Sequence, residues 1–260
     1  MPCSLEKNKM RLDLFLVDKG YFATRTKAQQ AIERGEIFVN SKPIDKVSFN
    51  VEEGVLIERI CPSEYVSLGG FKLEKALKDF NFNVEGKIVA DIGASTGGFT
   101  DCLLKNGAKK VYSVDLRDDL LHDSLKSNEK VDLIVKNARE LSVCDFDVNL
   151  DLIVADLSFI SIANVLGVFS QLIESEKDVI ILIKPQFEIG KKQKYKNGII
   201  KDSKIHKQVC ENVYEYALSV GLSPQAITTA PIVEGKNKEF LIWLKKSAEL
   251  KLDKNFIEKL

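Results

Sequence analysis

The chain has 260 residues, 45% of them hydrophobic and 29% charged, with 38 basic side chains against 38 acidic ones. That is room for one large domain, or a large one with a small companion. Balanced charge names no partner, no run nears the ~20 apolar residues of a membrane helix, and the five cysteines form no C-x-x-C pair, so neither a disulfide framework nor a zinc site is expected.

The opening residues, MPCSLEKNKMRLDL, are too polar for a signal peptide, and a cytoplasmic protein is expected. MRLDLFLVDKGYF has helical spacing, with Leu12, Phe15 and Leu16 on one face. TRTKAQQAIERGE predicts a second helix with Thr24 as N-cap, Ala28, Ala31 and Ile32 inward, and Gly35 as its stop. IFVNSKPID alternates like a strand into an Asn-Ser turn, and VLIERI reads as another strand. Together they make a small α+β unit with a very small core.

Residues 61–71, CPSEYVSLGGF, hold Pro and paired Gly and predict a linker. FKLEKALKDF predicts a short amphipathic helix. Strands are then expected at 87–92, 110–115, 131–136, 151–156 and 178–184, with helical segments between them. That alternation means an α/β domain with a doubly wound parallel sheet. A long helix over 203–220 leads to QAITTAPIV and EFLIWLK, two strands with no helix between them. The sheet is therefore expected to close with an antiparallel pair. By fold-level analogy, methyltransferase sheets end this way more often than dehydrogenase sheets.

The first strand of that sheet runs into DIGASTGGFT. In open α/β sheets ligands bind at the carboxyl ends of the strands, where strand order reverses. A dinucleotide turn wants G-x-G-x-x-G. Here Gly93, Gly97 and Gly98 lack the middle glycine. Asp91 would repel a pyrophosphate but suits an ammonium, such as that of an amino-acid moiety. Asp115 ends the next strand and is placed to accept hydrogen bonds from a ribose diol. Taken singly, the glycines could merely turn the chain and the acids merely end strands. Both acids in register point to a ligand.

DIGASTGGFT resembles the DxGAxxGG[FW] loop of FtsJ-like RNA 2′-O-methyltransferases. Nearly the whole chain resembles the TlyA family, which joins an S4-like RNA-binding domain to such an enzyme. The resemblance rests on RLD at 11–13, TR at 24–25, VN at 39–40, YVS…G…KL at 65–73, NAR at 137–139, ADLSFIS at 155–161 and IKPQFEIGK at 183–191. It implies a Rossmann-like class I methyltransferase sheet that uses S-adenosylmethionine. The implied organisation is an S4-like domain over 1–60, a linker over 61–71, an FtsJ-like domain over 72–247 and a tail over 248–260. The implied reaction methylates a ribose 2′-hydroxyl, of a cytidine in the family, in ribosomal RNA of a ribosomal subunit. The implied cofactor residues are Asp91, Gly93, Ala94, Ser95, Gly97, Gly98, Phe99, Asp115, Asn137, Ala138 and Asp156. Two stretches depart from the family: Leu68 stands where Arg is frequent, and LRDDLLHDSL follows Asp115 where a Gly-rich VGYGQL is usual.

FtsJ-like enzymes use a Lys-Asp-Lys-Glu set, and the matching positions are Lys72, Asp156, Lys184 and Glu239. Asp156 and Lys184 end the fourth and fifth strands, and Pro185 favours an extended backbone at Lys184. Lys184 is expected either to accept the hydroxyl proton or to orient the hydroxyl. Half-neutralising a lysine of pKa ~10.4 at pH 7.4 costs ~4 kcal/mol. A neighbouring Lys72 ammonium and burial favour that, and Asp156 and Glu239 oppose it. Ser158 and Phe159 could flank the cofactor, although Phe159 reads as readily as a core anchor.

Residues 1–49 hold nine Lys/Arg against six Asp/Glu. Arg11, Arg25, Lys27 and Arg34 are candidate RNA contacts through the S4 resemblance. Residues 181–210 hold eight lysines against two acids, and Lys191, Lys192 and Lys194 lie just past Lys184. No metal is expected. A non-catalytic RNA-binding or ribosome-assembly factor is the main alternative, and the Asp156/Lys184 pair argues against it. The family carries an old haemolysin label, but no segment here has the length or amphipathicity that membrane lysis needs. Pseudouridine synthesis would leave the glycine turn and Asp115 without a role. Replacing Lys191, Lys192 and Lys194 together should weaken RNA binding and lower its log–log salt slope by roughly 2 to 3. An unchanged slope removes that assignment.

Overall fold

The computed structural model describes residues 9–22, 24–33, 35–40, 42–52, 54–59, 65–189, 195, 198–233 and 235–253. The chain divides into two compact units, Met1–Leu68 and Gly69–Leu260.

The small unit comprises β1 (Lys9–Arg11), α1 (Leu12–Asp18), α2 (Arg25–Glu33), β2 (Ile37–Val39), β3 (Lys42–Ile44), β4 (Asn50–Glu52) and β5 (Ile57–Arg59). Leu12, Phe15 and Leu16 of α1 meet Ala28, Ala31 and Ile32 of α2 over Ile37 and Val51. Thr24 caps α2 by accepting from the Lys27 amide at 3.3 Å. Gly35 ends the turn at φ +74°, where a Cβ would meet Leu68 Cδ1 at 2.7 Å. Two short strands escape the sequence pattern. β1 and β4 pair antiparallel, with Met10 opposite Val51, so α1 begins at Leu12 rather than Met10. Three residues are too few to show a period of two, and tertiary pairing decides.

The large unit comprises α3 (Gly69–Asp79), β6 (Ile88–Ile92), α4 (Gly98–Lys105), β7 (Lys110–Asp115), α5 (Asp123–Lys126), β8 (Val131–Val135), β9 (Leu150–Ala155), α6 (Leu166–Leu172), β10 (Ile173–Ile183), α7 (Pro185–Glu188), α8 (Ser203–Ser219), β11 (Ser223–Thr229) and β12 (Phe240–Lys245). The sheet order is β11-β12-β10-β9-β6-β7-β8. β12 runs antiparallel to both neighbours, and the other pairings are parallel. The chain winds outward from β6 to β8, then crosses to β9 on the other side of β6. Strand order therefore reverses between β6 and β9. Core residues Ile92, Ile153, Ile181 and Ile242 come from four strands, as expected for strands covered on both faces.

Two boundaries correct the expectations. α3 starts at Gly69, inside the stretch read as linker, with Gly70 buried on its inner face. Glycine is a poor helix former, so helix propensity gave no sign of that start. β10 begins five residues early, because its register to β9 breaks between Ile173 and Asp178 around Glu176 at φ +65°.

Asp13 anchors the small unit. Its side chain has no exposed surface and accepts from Arg11 at 3.1 Å, Arg25 at 2.8 Å and Gln29 at 2.8 Å. Burial alone would raise this carboxyl, but these donors outweigh it and hold it well below the usual carboxylate range. A depressed acid contributes stability that is present above pH ~4 and lost as pH falls further. Asp13→Asn in the full chain should cost about 2 kcal/mol at pH 7, with the gap closing below pH 4 in denaturant titrations. A pH-independent gap contradicts this.

Candidate functional site

Parallel strands deliver their carboxyl ends to one rim of the sheet, and an antiparallel strand delivers its start there. Asp156 follows β9 and Lys184 follows β10. β12 is antiparallel, with Phe240 opposite Ile183, so Glu239 arrives beside Lys184. Lys72 reaches the same place from the first turns of α3. The four side chains form one cluster. Lys184 Nζ lies 2.6 Å from Asp156 Oδ1 and Lys72 Nζ lies 2.7 Å from Glu239 Oε2. Lys72 also faces Asp156 Oδ2 at 3.9 Å.

The Lys184–Asp156 approach is an ion pair without hydrogen-bond alignment, since Asp156 Oδ1 has no hydrogen-bond partner. Lys184 instead donates to Ser158 Oγ at 2.8 Å. Burial pulls the Lys72 amine down, but Asp156 and Glu239 together raise it above its ordinary value. Each amine thus faces a carboxylate.

The glycine turn abuts this cluster. Gly93 has φ +85°, and a Cβ there would meet the Asp156 carbonyl at 2.7 Å. Gly97 has φ +93°, and a Cβ would collide with Leu125 and meet Leu121 Cδ1 at 2.8 Å. These leucines come from the stretch that departs from the family, so LRDDLLHDSL packs against the turn. Ser95 sits at φ +49° and donates its amide to Asp115 Oδ2 at 2.9 Å. The Leu116 amide donates to Asp115 Oδ1 at 2.7 Å. Each Asp115 oxygen keeps a second lone pair for a ligand hydroxyl.

Asp91 is fully buried. Its Oδ2 accepts from Thr100 Oγ1 at 2.6 Å, and Oδ1 has no partner. Burial, with the Asp156 and Asp115 charges adding to it, pushes the Asp91 carboxyl up to about 7. Ala94, Gly98 and Phe99 are buried, so the Phe99 ring serves the core. Asn137 caps a short 3₁₀ turn through the Arg139 amide at 3.1 Å, and Ala138 packs against the core beside it.

Phe159 is not a core anchor. It is 90% exposed at φ +65°, and its ring lies 5.1 Å from that of Phe187. An aromatic just past a buried strand reads as readily as core, but the loop conformation turns this ring outward. Sequence reasoning missed two neighbours: Phe187, which Lys184 Nζ faces at 5.9 Å, and Leu116, 67% exposed beside Asp115. Leu116 had a legible signal, an apolar residue next to a strand-ending acid.

In the other unit, Arg11 and Arg25 are held by Asp13 while about half exposed, and Lys27 is exposed. Arg34, Lys191, Lys192 and Lys194 lie outside the described residues. Among the described residues, no acid, His and Cys group has a metal-holding arrangement, and no helix is long and apolar enough to cross a membrane.

The sheet order, its reversed last strand and the rim cluster define a methyltransferase-type α/β domain preceded by a small S4-type domain. The FtsJ-like methyltransferase pattern matches residues 65–246, and the S4 domain pattern matches residues 10–57. Hemolysin A of Brachyspira hyodysenteriae is 38% identical over 235 residues, covering 89% of this chain and 98% of that protein. The 16S/23S rRNA (cytidine-2′-O)-methyltransferase TlyA of Mycobacterium tuberculosis is 32% identical over 254 residues, covering 96% and 95%. A solved structure from Streptococcus thermophilus, which carries a provisional hemolysin name, is 36% identical with TM-score 0.74, covering 96% and 95%. The chain belongs to the TlyA family of S4-bearing, FtsJ-like methyltransferases.

An acid whose folded-state value is raised contributes stability that is complete below pH ~4 and lost as pH rises through about 7. The change is at most roughly 4 kcal/mol on linkage grounds. Asp91→Asn should therefore flatten the decline in unfolding free energy between about pH 4 and 7. A decline of wild-type steepness in that variant places the titration elsewhere.

Proposed function

We propose that this chain transfers a methyl group from S-adenosylmethionine to the ribose 2′-hydroxyl of a nucleotide, a cytidine on the strength of the TlyA relative's name, in ribosomal RNA. The observation that carries this reading is the Lys72–Glu239 and Lys184–Asp156 cluster beside the glycine turn. Residues 1–60 act as the RNA-binding body and 72–247 as the catalytic body. Arg11, Arg25, Lys27 and Arg34 supply RNA contacts from the first, and Lys191, Lys192 and Lys194 from the second. The setting is the cytoplasm, with a ribosomal subunit as the substrate particle.

The residues at the rim fit the methyl donor. The unpartnered Asp91 Oδ1 would accept from its ammonium, which returns that carboxyl to its charged form. Asp115 would take the ribose diol, Leu116 and Ala138 would flank the adenine beside Asn137, and Gly93 lets the backbone approach closely. When bound, the donor supplies an electrophilic methyl on a sulfonium. Aligning the acceptor oxygen with that methyl is then most of the catalytic task.

Lys184, braced by Asp156 and Ser158, holds the hydroxyl by a charge-assisted hydrogen bond. Lys72 and Glu239 hold the other side of the sugar. The hydroxyl proton leaves late, to solvent or through the amine. Phe159 supports the nucleobase. A bulky aromatic with positive φ is a strained conformation that clusters at functional sites, and base stacking on an exposed ring tolerates any sequence.

Lys184→Ala should lower kcat at least ~100-fold while donor affinity, measured by calorimetry, stays within a factor of two. Lys184→Arg should retain part of the turnover if the amine only orients. Phe159→Ala should raise KM for RNA by roughly 5- to 100-fold and leave donor binding alone. Near-wild-type turnover in Lys184→Ala would defeat the role given to Lys184.

A further inference from the structure

The loop after β9 is fastened to the segment after β10 at two places. The first is the cluster itself, where Lys184 reaches Asp156 and Ser158. The second lies one helical turn on. Glu188, the last residue of α7, accepts from Ser161 Oγ at 2.7 Å through Oε2 and from the Ile162 amide at 2.9 Å through Oε1. Ser161 also caps the 3₁₀ turn over Ile162–Asn164, accepting from the Ala163 amide at 3.3 Å. Both Glu188 oxygens thus accept from one loop. Between the two fastenings lie Phe159, at φ +65°, and its ring contact with Phe187.

This geometry matters because the first fastening runs through the very amine that serves the reaction. Lys184 has three N–H donors, so it can hold an incoming hydroxyl beside Asp156 and Ser158, but any shift of the amine toward that hydroxyl pulls on both contacts. If that pairing were the loop's main tie, the loop would follow each such shift, and Phe159 with it. A strained residue persists only where its surroundings over-determine it. Glu188 supplies a hold that does not involve the amine. Burial raises the Glu188 carboxyl, while the Ile162 and Ser161 donors oppose that rise. A half-buried carboxylate with two donors from one loop makes a directional clamp.

Resting on the transferase reading, we propose that Glu188 is a positioning residue that locks the Asp156–Ser161 loop to the Lys184 segment, keeping Asp156 and Phe159 in place when Lys184 engages the acceptor hydroxyl. Glu188 itself touches no reacting atom. Its loss should therefore act on turnover and RNA placement rather than on donor binding.

The test compares Glu188→Ala, Glu188→Gln and Lys184→Ala in the full chain, well below the unfolding temperature. Steady-state methyl transfer to unmodified ribosomal subunits gives kcat and KM, and calorimetry gives affinity for S-adenosylmethionine. Glu188→Ala should lower kcat about tenfold or more with donor affinity within a factor of two. Glu188→Gln should recover most of that loss, because its amide oxygen still accepts from Ile162 and Ser161 can reverse its hydroxyl. Wild-type kcat per folded molecule in Glu188→Ala overturns the proposal, as does a Gln variant no better than Ala. Should Glu188→Ala fail to fold, Ser161→Ala removes one of the two bonds and carries the same expectation, and wild-type kcat there overturns it. No methyl transfer by the unaltered chain would instead mark failure of the transferase reading itself, and full activity in Lys184→Ala would remove only the role given to Lys184.

Discussion

Two amines and two carboxylates share one half-buried rim, and none of the four could stay there alone. Their side chains are 11% to 23% exposed, a setting in which an unpaired charge is costly. Pairing Lys184 with Asp156 and Lys72 with Glu239 removes that cost and leaves a neutral, preorganised cradle. The reversed direction of β12 makes the pairing possible. A parallel final strand would carry Glu239 to the opposite rim, and Lys72 would lose the carboxylate at 2.7 Å.

The same rim explains the backbone of the glycine turn. β6 and β9 are neighbours at the point where strand order reverses, so their following loops must cross closely. Gly93 lies against the Asp156 carbonyl, and any side chain would push the two loops apart. Asp91 sits beneath, buried with one oxygen unpartnered. Asp115 ties the turn to the loop after β7 through the amides of Ser95 and Leu116. The turn is thereby held against the Asp156 loop on one side and against Asp115 on the other.

Much of this was legible in the chain. The five parallel strands announced themselves as apolar runs separated by helical segments, because strands buried on both faces need no alternation. Asp156 and Lys184 could be placed from their strand ends, and the lack of a helix before EFLIWLK foretold the antiparallel closure. Glu239 was different. It lies 167 residues from Lys72, and only the family resemblance joined the two before the sheet order did. Phe159 misled because an aromatic just past a buried strand reads as core, whereas its outward pose depends on a positive φ that no periodicity encodes. β1 and β4 were too short to show a period. The grip of Asp13 on Arg11 and Arg25 was also hidden, since arginines that look like free RNA contacts reveal a buried partner only in three dimensions.

The position of the transferred methyl tests the central claim most directly. Unmodified ribosomal subunits incubated with the chain and methyl-labelled S-adenosylmethionine should yield labelled RNA. After complete alkaline hydrolysis the label should remain in an alkali-resistant dinucleotide, because a methylated 2′-oxygen cannot attack the adjacent phosphate. Label recovered in ordinary mononucleotides, or no transfer to any RNA, would contradict the account.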